Sequence, residues 1–250
     1  MIQWNANAAI TNVKIEYKTS LGGGYATIVA NDPGHTSSGI NTYTWTDAVT
    51  GGVGDANSED CYIRVSDANN YDESFAVSQN PFSIRPVITV SSPTLGQNIE
   101  VGSNNNTVTW NCNSNNVAKV DLLYSTTGAQ GTFDKTIITN LTNVKGSNTY
   151  NQWNNVGDNI SPDVVIKVVE RKGAQLNENV SGLSASFDII GAITNITEPH
   201  QDENLIIGTQ KTISWTKAGA IGTVKLYYYH DGAYDDIATV DTGTINSHPW

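Results

Sequence analysis

The sequence predicts an all-β chain of tandem antiparallel two-sheet sandwiches, about seven strands each, and three observations carry the prediction. First, a short strand ending in Trp and a later strand carrying Tyr recur together three times. The copies are IQW at 2–4 with VKIEYKTS at 13–20, VTW at 108–110 with VDLLYSTT at 120–127, and ISW at 213–215 with VKLYYYHD at 224–231. Second, the spacing is regular: Trp4 to Trp110 is 106 positions (110 − 4) and Trp110 to Trp215 is 105 (215 − 110). An equal spacing of that size marks a domain-sized repeat. Third, apolar and polar residues alternate in short runs separated by turn signals, the pattern of half-buried antiparallel strands.

The first repeat, 1–85, begins in the IQW strand and lacks its first strand or strands. In VKIEYKTS, Val13, Ile15 and Tyr17 face one way, and Lys14, Glu16 and Lys18 the other. LGGG at 21–24 makes a hairpin turn. Strands follow at YATIVA (25–30), NTYTWT (41–46), CYIRVSD (61–67) and FAVSQNPFSI (75–84), with a loop at 31–39 and a long loop at 47–60.

The second repeat, 86–191, is complete. It opens with VITVSSPTLGQNIEVGSNN, a strand, a Ser-Pro turn and a second short strand, then follows the first repeat in order. The third, 192–250, repeats that opening, runs through VKLYYYHD and YDDIATV, and lacks its last strands. The joints, near Arg85-Pro86 and Gly191-Ala192, are short, so neighbouring repeats should touch. Trp4, Tyr17, Trp110, Tyr124, Trp215 and Tyr227 are the expected core between the sheets.

Composition narrows the function classes. The net charge of −11 and pI of about 4.6 oppose nucleic-acid partners, which need Lys and Arg against phosphate. They also oppose docking on anionic membranes. No apolar run is long enough to span a bilayer, and the opening MIQWNANAAI has no signal-peptide pattern. Cys61 and Cys112 fall at non-equivalent places in different repeats, which suits two buried free thiols better than a disulfide.

No catalytic constellation and no cofactor motif occurs. The histidines, His35, His200, His230 and His248, stand in four separate loops or strand ends without metal-ligand spacing. Asp55, Glu59 and Asp60, with Asp67 and Asp72 nearby, offer the oxygens that Ca2+ takes, but not at EF-hand spacing. A solvated acidic turn is the simpler account. In the run Tyr227–Tyr229, Tyr228 is expected on the surface if Tyr227 is in the core. Tyr228, Tyr229 and Tyr234 are then candidates for stacking on sugar or on another subunit.

The stretches ITVSSPTLGQNIEVG, TVTW and VDLLYSTTG, and their counterparts ITNITEP, IGTQKTISW and VKLYYYHDG, resemble the immunoglobulin-like (fibronectin-III-like) repeats of bacterial cell-surface and extracellular proteins. They are also similar to the Ser/Thr-rich fungal cell-wall domain of glucan assembly. The resemblance implies a non-enzymatic segment of a longer extracellular or cell-surface array: a stalk, adhesin or filament. Its expected partners are neighbouring repeats, identical subunits, or cell-surface glycans and proteins. Two alternatives stand beside it. One is a carbohydrate- or calcium-dependent module accessory to a wall-acting protein. The other is a filament subunit that polymerises by strand donation.

Overall fold

The computed structural model describes residues 1–33, 38–45, 55–243 and 245–250. His35, Thr46 and positions 47–54 of the long loop lie outside the described residues. In the first repeat the strands are β1 (Ile2–Ala6), β2 (Asn12–Lys18), β3 (Ala26–Pro33), β4 (Gly39–Tyr43), β5 (Ser58–Asp67), β6 (Phe75–Val77) and β7 (Phe82–Ile84). β1 pairs with β4; the facing sheet runs β3-β2-β5-β6, with β7 on the far part of β5.

The second repeat holds β8 (Ile88–Ser92), β9 (Asn98–Glu100), β10 (Asn106–Cys112), β11 (Lys119–Ser125), β12 (Lys135–Thr142), β13 (Gly146–Trp153), β14 (Ser161–Lys172), β15 (Gln175–Leu183) and β16 (Phe187–Ile190). Its two sheets are β13-β10-β8 and β12-β11-β14-β16-β9, with β15 also on β14. The third repeat holds β17 (Ala192–Glu198), β18 (Thr212–Ala218), β19 (Thr223–His230), β20 (Ala233–Asp241) and β21 (Ser247–Pro249), paired as β17-β18-β21 and β19-β20. Among the described residues no helix occurs, so none is long and apolar enough to cross a membrane.

The architecture is all-β, built of predominantly antiparallel sheets in three successive repeats. Nine segments make the second repeat because its opening strand is split into β8 and β9 and its closing strand into β15 and β16. Ser92–Pro93 and Glu198–Pro199, at the same place in their repeats, are both cis. One pairing departs from the antiparallel expectation: β9 runs parallel to β16. The opening strand keeps its direction while it crosses from β10 in one sheet to β16 in the other, so it closes an edge of each.

Packing differs along the chain. The second repeat buries Trp110, Tyr124, Trp153 and Phe187 with a dense set of Val, Ile and Leu. Trp153 packs on Tyr124 at 5.5 Å between ring centroids, and on Phe187 at 6.3 Å, edge to face. The first repeat centres on Val13, Ile15, Ile28 and Val65, with Trp4, Tyr17 and Trp45 partly buried around them. In the third, Ile213 and Trp215 are the only buried apolar side chains among the described residues. Cys61 and Cys112 are buried free thiols.

Candidate functional site

The repeated strands place an aromatic pair on the inner face of each hairpin. Tyr17 meets Trp45 at 5.1 Å, Tyr124 meets Trp153 at 5.5 Å, and Tyr228 meets Trp250 at 5.3 Å. The third pair corrects one assignment, Tyr227 as the core residue; Tyr228 is exposed as expected, at 36%, although it meets Trp250. Tyr228, not Tyr227, is the counterpart of Tyr17 and Tyr124, because Val224, Leu226 and Tyr228 share a face under period-two alternation. Tyr227 is 48% exposed and looks outward with Tyr229 (62%) and Tyr234 (73%). On that outer face Tyr234 lies 4.8 Å from Tyr229 and 6.4 Å from Tyr227. Tyr228 instead stacks on His230 at 5.0 Å, and His230 pairs with Asp235.

The joints between repeats share one contact. At the first, the Asp55 carboxylate accepts the backbone N–H of Asn115 at 2.8 Å and the hydroxyl of Ser114. The Asn116 amide donates to the Asp55 carbonyl. At the second, the Asp158 carboxylate accepts the backbone N–H of Ala220 at 3.0 Å. Asn115 and Ala220 each stand five positions past the anchor tryptophan, Trp110 or Trp215. Each aspartate stands three positions before a serine, Ser58 or Ser161. Those serines also behave alike: Ser58 Oγ donates to the Thr19 carbonyl at 2.6 Å and Ser161 Oγ to that of Thr126 at 2.7 Å. The motif D-x-x-S thus anchors its own sandwich with the serine and reaches the next with the aspartate. The Ser114 and Asn115 hydrogen bonds hold the Asp55 carboxyl below the usual carboxylate range. At the first joint Asn57 also donates to both oxygens of buried Glu170, at 2.8 and 2.9 Å.

The expected calcium ligands do not converge. Asp55 is engaged in the joint. Glu59 takes two hydrogen bonds from Arg85, at 2.9 and 2.7 Å, and one from Ser83 at 2.6 Å. The Arg85 guanidinium, then Ser83, lower its carboxyl to about 2. Asp60 is exposed, its N–H donating to Ser58 Oγ. Among the described residues, the side chains grouped closely enough for a metal ion are Glu198, His200 and Glu203. Lys211 already lies between the two carboxylates, at 2.7 Å from Glu198 and 2.6 Å from Glu203. A fixed ammonium there occupies the position a cation would take.

An open cleft of about 710 Å³ runs between the sheets of the first repeat, lined by Ile2, Trp4, Trp45, Val65, Phe82 and Ile84 among others. In the second repeat β8 and β9 close the corresponding opening, burying Ile88 and Ile99.

No protein-family model matches the chain, and no curated protein matches it. Among solved structures, the three N-terminal domains of the bacteriophage RB49 Highly Immunogenic Outer Capsid protein (Hoc) align with 94% of this chain and 74% of that one. The identity is 10% and the TM-score 0.23; at that level the likeness does not bear on function.

Proposed function

We propose that this chain is a structural and interaction segment of an extracellular or cell-surface repeat protein, a stalk, adhesin or filament in which each sandwich is one domain. It works without catalysis and without a cofactor, and its first partners are its own neighbouring repeats. The observation that carries this reading is the recurrence of the D-x-x-S contact at both joints. A repeat that reaches its successor through the same two atoms each time transmits orientation along the chain, which a stalk requires and an isolated binding module does not.

Pulling single molecules tests it. The second repeat should give one cooperative unfolding event. At about 3.3–3.6 Å per extended residue, its 105-residue period corresponds to an extended length of roughly 350–380 Å, and the length gain is that figure less the span of the folded repeat. Smooth extension without a discrete event would sink the stalk reading.

The exposed Tyr227, Tyr229 and Tyr234 favour a second reading, a carbohydrate-binding accessory module. Glycan-array binding that Tyr229→Ala removes supports it; no binding, with or without Ca2+, rules it out.

A further inference from the structure

Glu170 is a buried acid at the rim of an apolar core. It stands on β14, where alternation places it on the inward side with Ile166 and Val168, and it lies opposite the buried Val120 of β11. Its side chain is 2% exposed. A carboxylate withdrawn from water to that degree depends on donors within the protein. Among the described residues, Asn177 of β15 donates to Oε2 at 2.6 Å, and the half-exposed Lys172 ammonium lies 3.7 Å away. A further donor comes from the preceding repeat: Asn57 Nδ2 spans both oxygens, at 2.8 and 2.9 Å.

The corresponding positions are used differently. Asp67 holds the place of Glu170 in the first repeat, four positions past Ile63 as Glu170 is past Ile166, and opposite Val13 as Glu170 is opposite Val120. Its carboxylate accepts the N–H of Asn69 in its own turn, at 2.9 Å. Ile160 holds the place of Asn57 in the second repeat, two positions past the joint aspartate. It lies against Gly219 of the third repeat, where an added Cβ would stand 3.0 Å from Ile160 Cδ1. The second joint presents a hydrocarbon where the first presents an amide.

We propose that Asn57 couples the first two repeats energetically. The first repeat supplies a hydrogen-bond donor that the interior of the second requires, so the second repeat is less stable whenever that amide is withdrawn. Within Asp55-Ala56-Asn57-Ser58 the labour is divided. Ser58 ties the motif to its own repeat, Asp55 sets orientation through the N–H of Asn115, and Asn57 contributes to the fold of its neighbour. Without Asn57 the buried carboxylate keeps one amide and a half-exposed ammonium, and its desolvation is no longer fully offset. The inference is independent of the stalk reading, since it concerns the chain in solution without load.

The test follows hydrogen exchange residue by residue in the full chain, for Asn57→Ala, Glu170→Gln and the two together. Loss of the amide should speed exchange of the slowest N–H groups of β10, β11 and β14 roughly ten-fold or more, with β2 and β5 of the first repeat unchanged. In the Glu170→Gln background, where no charge awaits the donor, Asn57→Ala should have a smaller effect, the sign of direct coupling between the two side chains. Asp55→Ala, which leaves the Asn57 amide in place, should not reproduce the change. Unaltered exchange in the second repeat, a change at least as large in the first, the same acceleration from Asp55→Ala, or an equal effect of Asn57→Ala in both backgrounds would each overturn the assignment.

Discussion

The second and third repeats begin with the same strands and end with different interiors. Both build a three-stranded sheet on the anchor tryptophan, β13-β10-β8 and β17-β18-β21, and both lay a hairpin across it, β11-β12 and β19-β20. In the second, β14 and β16 flank that hairpin, and Trp153 sits enclosed between Tyr124 and Phe187. In the third, β19 and β20 pair only with each other among the described residues, and Trp250 is 43% exposed. The anchor tryptophans are buried alike, Trp215 at 4%. The difference teaches that the Trp strand organises its own sheet, while enclosure of the second aromatic pair depends on the central strand.

The largest effect should separate the two second tryptophans. Trp153→Ala should cost about 3–5 kcal/mol in unfolding of the second repeat, as for other enclosed large aromatics. Trp250→Ala should cost under about 1 kcal/mol. Chemical denaturation followed repeat by repeat measures both, and equal costs would break the comparison.

The next concerns Asp121, buried on β11 and held by Arg171 and by the Asn140 N–H at 2.8 Å. Asp121→Ala strands the guanidinium and that N–H, at about 3 kcal/mol. Its counterpart Lys225 is exposed, and Lys225→Ala should stay within about 0.5 kcal/mol. Burial raises the Asp121 carboxyl and the Arg171 and Asn140 bonds lower it, with a net lowering from 3.8. A depressed carboxylate contributes stability above the unfolded value and loses it as pH falls through the folded one. The second repeat should therefore lose this contribution below about pH 3.8, and acid titration of Asp121→Asn should show a flatter loss.

A smaller effect lies under the anchor tryptophans. Trp110 Nε1 donates to Asn143 Oδ1 at 2.8 Å. Trp215 Nε1 is buried without a partner. The corresponding residue, Thr242, uses its hydroxyl on the Ile221 carbonyl. Asn143→Thr should destabilise by about 1–2 kcal/mol, and Thr242→Asn should stabilise by about 1 kcal/mol. Thermal melts of the two variants check the opposite signs.

The smallest effect on stability belongs to the joint. Asp55→Ala should leave the melting of each repeat nearly unchanged while broadening the distance distribution between spin labels in the first and second repeats. Wild type should broaden in the same way as pH falls below the usual carboxylate range, since the Asp55 carboxyl is lowered by its bonds to Ser114 and Asn115. An unchanged distribution in Asp55→Ala would remove the contact from any account of joint stiffness.

Much of this fold is legible in the residues, because the repeat writes the same Trp–Tyr pattern three times. The phase of the tyrosine run is harder to read. Three consecutive tyrosines fit either alternation locally. The offset from the anchor does not decide it, being thirteen positions from Trp4 to Tyr17 and fourteen from Trp110 to Tyr124; the contact of Tyr228 with Trp250 does. The parallel β9–β16 pairing is hidden because nothing in NIE says which sheet it joins. Asp55 reads as a loop acid because the N–H that donates to it lies 60 positions away. The signal that finds it is the second copy, Asp158-x-x-Ser161, which has meaning only once the repeat is aligned.

The D-x-x-S contact also bears on how such a chain tolerates change. What the aspartate grips is a main-chain N–H, a group every residue but proline supplies. The shared donor position is therefore free to vary in side chain, and it already does, with Asn115 at one joint and Ala220 at the other, while the Ser114 and Asn116 side chains add to the contact at the first joint alone. Only the accepting aspartate is held to a residue type. New side chains can enter these turns, and new surfaces arise between repeats, without unsettling how one repeat follows another.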